Sequence, residues 1–321
     1  MAAKDKRKTT GALGIVLALA LTLILSAGLL YAAYSYAASQ PSPAGETESS
    51  AARSASLSLF DAPPTVSNEE PTPAEIPAEG TTQYEYDYKE IIADEDGLLV
   101  ARIIGKRWSG YIAVIDDPMR VSVSTCSYFG TDAYGLSVAQ HAEKTGAILA
   151  INGGAFEDVG GVGRGGMPTG NVVANGVMLN PGGGSTVGMD SSGQLVVGEI
   201  SGNDCKAMNL LWAVSYGPTL VENGEIRSGL DDLYLEPRTA VGQRADGAII
   251  FVVLQGRQAA ALGVSRQELA EIMVEYGAVN AGNLDGGASS DMWYNGDYVN
   301  IRNSSGGPRG IPTALVVAPA A

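Results

Sequence analysis

The residues best suited to chemistry lie in one run near the C-terminus, Asn283-Leu284-Asp285-Gly286-Gly287-Ala288-Ser289-Ser290-Asp291-Met292-Trp293. Carboxylates, adjacent glycines and hydroxyls alternate there in a stretch too glycine-rich for a helix and too polar for a core strand, which is the composition of a site loop. Asn295-Gly296, between aromatic and β-branched residues, is a hairpin signal that would hold the loop rigidly. A second loop, Asn152-Gly153-Gly154-Ala155-Phe156, has the same setting: a capped helix ending in Gly-Ala, then a short strand, then Gly-Gly-Ala. The two strands are expected to be neighbours in one sheet, so that Asn152 and Asp285 face one cleft.

Composition removes several mechanisms. The formal net charge of -15 argues against nucleic acid, which needs a basic surface, and requires local arginines for any anionic ligand. With two cysteines and one histidine, the chain lacks ligands for a Cys/His zinc site. A Ser-His-Asp triad would have to use His141, which reads better as a partly exposed residue of a short helix from Ser137 to Thr145. Ser289 and Ser290 have no evident base and read as loop hydrogen-bonding groups. The glycine-rich stretch around Arg164 lacks the spacing and Lys-Ser/Thr ending of a P-loop. Cys126 and Cys205 could pair in an oxidising compartment, but spacing does not decide it.

The elements that must position these residues can be read in order. Residues 1–10 are a basic tail, and residues 11–33 form an uncharged apolar run long enough to span a bilayer. Basic residues ahead of the run put the N-terminus inside, giving a single-pass membrane protein with an extracytoplasmic C-terminal domain. Residues 34–82 are rich in Pro, Ser, Ala, Glu and Thr and read as a disordered stalk; 83–104 is a joining segment and 105–321 the domain. Within it, Asn175-Gly176, Asn223-Gly224 and Asp246-Gly247 mark further hairpins. Ser137 with Gln140, and Ser265 with Glu268, are capping boxes, and Leu269, Ile272, Met273 and Tyr276 form a helical core stripe. The expected fold is α+β: a mixed, largely antiparallel sheet with several hairpins and at least two packed helices.

Taken together, Asn152-Gly-Gly-Ala-Phe156, Gly170-Asn171-Val172-Val173, Gly217-Pro218-Thr219-Leu220-Val221-Glu222-Asn223-Gly224, Arg238-Thr-Ala-Val-Gly242, Asn283-Leu-Asp-Gly-Gly-Ala-Ser-Ser290 and Tyr294-Asn-Gly296 resemble the signature blocks of the phosphodiester glycosidase family, in the right order. The resemblance implies hydrolysis of a phosphodiester on the anomeric carbon of a sugar, in a cell-surface or secreted glycan. Asp285 then fits the carboxylate that stabilises or attacks an oxocarbenium-like centre. Arg238 fits a bidentate phosphate clamp, assisted by Arg164 or Arg309, and Glu157 a second carboxylate. Asn152, Gly153, Gly154, Asn283, Gly286, Gly287, Ser289, Arg164 and Trp293 are the expected substrate contacts, the glycines through their amides and Trp293 by stacking. Ala288 stands where the family usually has a third glycine, and Ala155-Phe156 where it usually has two aromatics. No cofactor is required, although Asp285 and Asp291 are candidate ligands for Ca2+ or Mg2+. Two other readings stand beside this one: a carbohydrate-binding or exopolysaccharide-assembly protein without catalysis, and a metal-dependent phosphodiesterase acting at phosphorus.

Overall fold

The computed structural model describes residues 88–158, 164–231, 233–302 and 307–320. The expected span at 11–33 and stalk at 34–82 lie outside them. Among the described residues, no helix is long and apolar enough to cross a membrane.

Strands β1 (Glu90–Glu95), β2 (Leu98–Ile104), β3 (Ser109–Ile115) and β4 (Val121–Thr125) lead to helix α1 (Val138–Thr145) and β5 (Leu149–Asn152). Then come β6 (Asn171–Ala174), β7 (Val177–Pro181), β8 (Ser185–Met189), β9 (Leu195–Glu199), helix α2 (Gly202–Ala207), β10 (Trp212–Ser215), β11 (Thr219–Glu222) and β12 (Glu225–Ile226). The chain continues through β13 (Arg238–Arg244), β14 (Ile249–Leu254), helix α3 (Arg266–Glu275), β15 (Ala278–Leu284), β16 (Met292–Tyr294), β17 (Asp297–Tyr298) and β18 (Thr313–Val317).

Instead of one mixed sheet, these strands make three antiparallel ones: β1-β2-β3-β14-β13-β15-β11-β12, β7-β6-β10-β8-β9 and β17-β16-β5-β18-β4. The segment 83–104, expected to join stalk and domain, supplies β1 and β2, and the largest sheet therefore begins at Glu90. The hairpins fall where the turn residues put them. Asn175-Gly176, Asn223-Gly224 and Asn295-Gly296 all have φ positive at both residues, the backbone that a two-residue turn needs to match strand twist.

All three sheets contribute to one core, through residues such as Phe251 and Leu284 of the largest sheet, Trp212 and Val214 of the second, and Ile151 and Leu315 of the third. The opposite faces carry helices: α3 packs on the largest sheet, α1 on the β5 sheet and α2 on the β10 sheet. This two-sided burial explains the unbroken apolar run of β14. Ile249, Phe251 and Val253 enter the shared core, while Ile250, Val252 and Leu254 lie under α3. Leu269, Ile272, Met273 and Tyr276 are buried on the inner face of α3 and just past its end, as their spacing predicts.

Ser137 caps α1 reciprocally with Gln140, and Gly146 ends the helix in the left-handed region. His141 is fully buried, contrary to the expected partial exposure, because its ring bridges Ser124 Oγ (2.9 Å) on β4 and the Ile311 carbonyl (3.1 Å) ahead of β18. Cys126 and Cys205 are buried free thiols, each in its own packing environment, so the candidate disulfide does not form.

Burial pushes the His141 pKa down to about 4. The unfolded chain takes up this proton near pH 6.5 and the folded chain only near 4, so this contribution to stability, present above about pH 6.5, is lost as pH falls through that window. His141→Gln should therefore gain about 2 kcal/mol relative to wild type between pH 7.5 and pH 4.5 in urea unfolding. A stability difference independent of pH would contradict the assignment.

Candidate active site

Asp285 leaves the end of β15, and Asn152 ends β5 in a different sheet. The expectation that the two strands are neighbours in one sheet is corrected, yet the residues meet because both sheets close on the shared core at this end. Asn152 is fully buried. Its Nδ2 donates to the Asp285 carbonyl at 2.6 Å, and its Oδ1 accepts from Thr239 Oγ1 (2.8 Å) and the Asp291 amide (3.3 Å). The Asp285 amide in turn donates to the Gly153 carbonyl at 3.1 Å. One side chain thus joins β5, β13 and both ends of the Asp285 loop. All three hydrogen bonds of the Asn152 side chain run inside the protein, and this positions the loop.

The glycine amides are engaged in the same way. Gly153 donates to Thr313 O and Gly154 to Thr313 Oγ1, while Gly286 donates to Asp285 Oδ1 and Gly287 to Pro237 O. Glycine is required for close approach: a Cβ on Gly154 would sit 2.6 Å from the Ser215 carbonyl. Gly287, at φ +62, opens a one-turn 3-10 helix over Gly287–Ser289. Ala288 lies inside that turn and is not among the residues with positive φ, so its backbone there does not demand glycine.

The Asp285 carboxyl is pushed up to about 6, first by burial. The nearby Ser289 hydroxyl, Arg309 and the Gly286 amide pull it down, and Asp158 pushes it up. Ser289 Oγ is buried and falls short of a well-formed hydrogen bond to any partner. Asp158, and not the exposed Glu157, is the neighbouring acid that Asp285 feels, and it pairs with Arg309, whose guanidinium lies over the Phe156 ring. Arg164 is exposed, donates to the Asp132 carbonyl and stacks over Tyr134, so its charge is turned to that loop.

Arg238, only 4% exposed, hangs from two carbonyls: Nε donates to Val264 O (3.3 Å) and Nη2 to Tyr234 O (3.1 Å). Among the described residues it forms no ion pair with a carboxylate. Its pKa is lowered by burial and then by the Arg266 charge, while the charges of Glu236 and Asp231 oppose the shift.

Tyr216 was missed because nothing in its local sequence marks it. Ser215 before it accepts the Ala155 amide at 2.8 Å, and the Gly217 amide after it donates to the Asn283 carbonyl at 3.3 Å. The backbone on either side of Tyr216 is thereby held to both loops, and its phenol is raised by burial and by Asp285. With Ser185, Glu199, Asp231 and Arg266 it lines an open cleft of about 460 Å³. Asn283 donates to Gly217 O (2.7 Å), while its buried Oδ1 has no partner. Trp293 packs into the α1 core against Ala150 and Val316 instead of presenting a stacking face.

Asp291 is buried, and its carboxyl is pushed up to about 7 by desolvation; a long contact from Asn300 Nδ2 (3.5 Å) and the charge of Arg302 oppose this. For the candidate cation, no group of three or more His, Cys, Asp or Glu is placed to hold a metal among the described residues.

A carboxyl with a raised pKa, on a glycine loop that approaches a buried arginine held by carbonyls, at the end of an antiparallel three-sheet core, defines a candidate hydrolase site. The chain belongs to the phosphodiester glycosidase family, whose model matches residues 145–318. It is 26% identical over 182 residues to N-acetylglucosamine-1-phosphodiester alpha-N-acetylglucosaminidase of Bos taurus, covering 50% of this chain and 33% of that protein. It is also 26% identical over 190 residues to the SPbeta prophage-derived uncharacterized protein YomE of Bacillus subtilis (strain 168), covering 55% of this chain and 28% of that one. The chain thus aligns with a third or less of the length of these relatives. Among solved structures, the zebrafish N-acetylglucosamine-1-phosphodiester alpha-N-acetylglucosaminidase catalytic domain shares the fold at TM-score 0.60 and 23% identity, over 72% of this chain and 86% of that one. A hypothetical protein from Synechocystis matches at TM-score 0.57 and 17% identity, over 71% and 63%.

Asn152→Ala would strand the Asp285 carbonyl, the Thr239 hydroxyl and the Asp291 amide; a loss of about 2–4 kcal/mol is expected in denaturant unfolding. A loss below about 0.5 kcal/mol would show that the loop does not depend on this amide. Asp291 titrates the opposite way to His141. Its folded pKa lies above the unfolded value, so its contribution declines as pH rises from about 4 through about 7. Asp291→Asn keeps an oxygen acceptor without the charge, and should be more stable than wild type at pH 8 and close to it at pH 4.5.

Proposed function

We propose that this protein hydrolyses sugar-1-phosphodiesters, releasing the sugar, in a cell-surface or secreted glycan. The observation that carries the reading is the part-buried Asp285 carboxyl, joined to the second Gly-Gly loop through Asn152 and Gly153, on a loop whose Gly286 approaches the stem of Arg238, an arginine that forms no ion pair with a carboxylate among the described residues. In this reading Asp285 meets the positive charge that develops at the anomeric carbon. The bond from that carbon to the phosphate oxygen breaks, with its electron pair leaving on the phosphate monoester. Arg238 neutralises the departing charge, and its two carbonyl anchors hold it without reorganisation. A water oxygen replaces the phosphate on the sugar, and its proton passes to solvent. A phosphate monoester is a good leaving group, so charge neutralisation matters more than a strong general acid.

The name of the bovine relative makes an alpha-linked N-acetylglucosamine 1-phosphodiester the first substrate to test. The basic tail and apolar run ahead of the domain support an anchored, extracytoplasmic enzyme.

Sugar release by wild type should fall by roughly 10³-fold or more in Asp285→Asn and by roughly 10²-fold or more in Arg238→Ala. Because Asp285 works ionised, kcat/KM should drop as pH falls below about 6. Glycan affinity without turnover on a panel of such diesters would overturn the enzymatic reading in favour of a binding protein.

A further inference from the structure

The two glycines after Asp285 lie between two arginines. A Cβ built on Gly286 would stand 3.9 Å from Arg238 Cδ, and one built on Gly287 would stand 3.2 Å from Arg257 Nη2. Arg257 follows β14 and takes no part in the reading above. Three features set it apart from an ordinary surface arginine. It holds a left-handed backbone at φ +57, a conformation disfavoured for a side chain of this size and one that tends to persist where the surrounding structure enforces it. Its guanidinium lies against Gly287 of the site loop while about half of the side chain stays in solvent. Among the described residues its guanidinium is tethered by one exposed ion pair, to Glu236 at 3.0 Å, with the Arg257 side chain 51% exposed. Such a pair contributes little to stability and is readily exchanged for a better anion.

We propose that Arg257 is a second phosphate-binding arginine, which closes on the substrate from the side of the Gly286-Gly287 pair opposite Arg238. The glycines then have a chemical reason. A side chain at Gly287 would press on the Arg257 guanidinium, while one at Gly286 would meet the Pro237 carbonyl at 2.9 Å and the Arg238 stem at 3.9 Å, so their absence leaves room for both arginines beside the Asp285 loop. The arms differ in kind. Arg238 is buried and fixed by carbonyls, whereas Arg257 is exposed and exchanges Glu236 for the phosphate. Two planar guanidiniums can share the phosphate oxygens bidentately, a geometry that a single arginine or a lysine does not reproduce. The proposal rests on the reading of Asp285 and Arg238 given above, and its test is chosen to be independent of turnover.

Binding of inorganic phosphate is measured by isothermal titration calorimetry on the full chain, for wild type, Arg257→Gln and Arg257→Lys, alongside their urea midpoints. The expected result is about 10-fold weaker phosphate binding in R257Q, a smaller loss in R257K, and urea midpoints unchanged within error. Phosphate affinity in R257Q equal to wild type overturns the proposal, as does loss of phosphate binding accompanied by a lowered midpoint. Absence of phosphate binding to wild type overturns it as well. If wild type releases no sugar but binds phosphate through Arg257, the hydrolytic reading fails and the clamp stands. If sugar release is normal and phosphate affinity ignores Arg257, only the clamp fails.

Discussion

The site depends on a single primary amide. Asn152 has no solvent exposure, and it grips the Asp285 carbonyl, the Thr239 hydroxyl and the Asp291 amide at once. A buried polar group without partners costs more than a formed hydrogen bond contributes, so this arrangement holds as a whole or not at all. The consequence is geometric. Two strands from separate sheets have their ends locked together, and the Asp285 loop is gripped at both ends. The Asp285 carboxylate, to which the proposed function assigns the chemistry, therefore sits on a scaffold built from the core outwards, although the segment that carries it is mostly glycine, alanine and serine.

Electrostatics then assigns complementary conditions to the two principal groups. Burial raises the Asp285 carboxyl towards neutrality but leaves it ionised at physiological pH, while Ser289, Arg309 and the Gly286 amide limit the rise. Arg238 is buried in the same region, held by carbonyl dipoles instead of a carboxylate, and crowded by Arg266. Neither charge cancels the other through a direct ion pair. In the proposed reaction, a substrate that develops positive charge at one atom and sheds negative charge at the next would use both groups. The Asp158–Arg309 pair beside Phe156 borders the carboxylate, and Tyr216, with its open cleft, borders the arginine.

Much of this was legible in the sequence. Helix caps, Asn-Gly hairpins and the stripe on α3 are local signals with local causes, and they appear where they were read. Asp285 and Asn152 stand out because glycine pairs and short strands announce loops at the end of a core, and Arg238 because it opens a block that resembles the phosphodiester glycosidase family. Their partnership was legible, but not its form, since a hydrogen bond across two sheets leaves no periodicity in one chain. For the same reason the glycine amides looked available and are bonded internally, and Trp293 looked like a platform and is core. Glu157 entered through the family resemblance, whereas the acid whose charge reaches Asp285 is its neighbour Asp158. Tyr216 and Arg257 carry no motif at all. Their relevance comes from the approach of β10 and the loop after β14 to the site.

The central claim is that cleavage occurs at the sugar carbon and not at phosphorus, and oxygen tracing tests it most directly. Hydrolysis of a sugar-1-phosphodiester in ¹⁸O-labelled water, followed by mass spectrometry of both products, should place the label on the anomeric oxygen of the released sugar and leave the phosphate monoester unlabelled. Label in the phosphate would mean attack at phosphorus, and would contradict the roles given to Asp285 and Arg238.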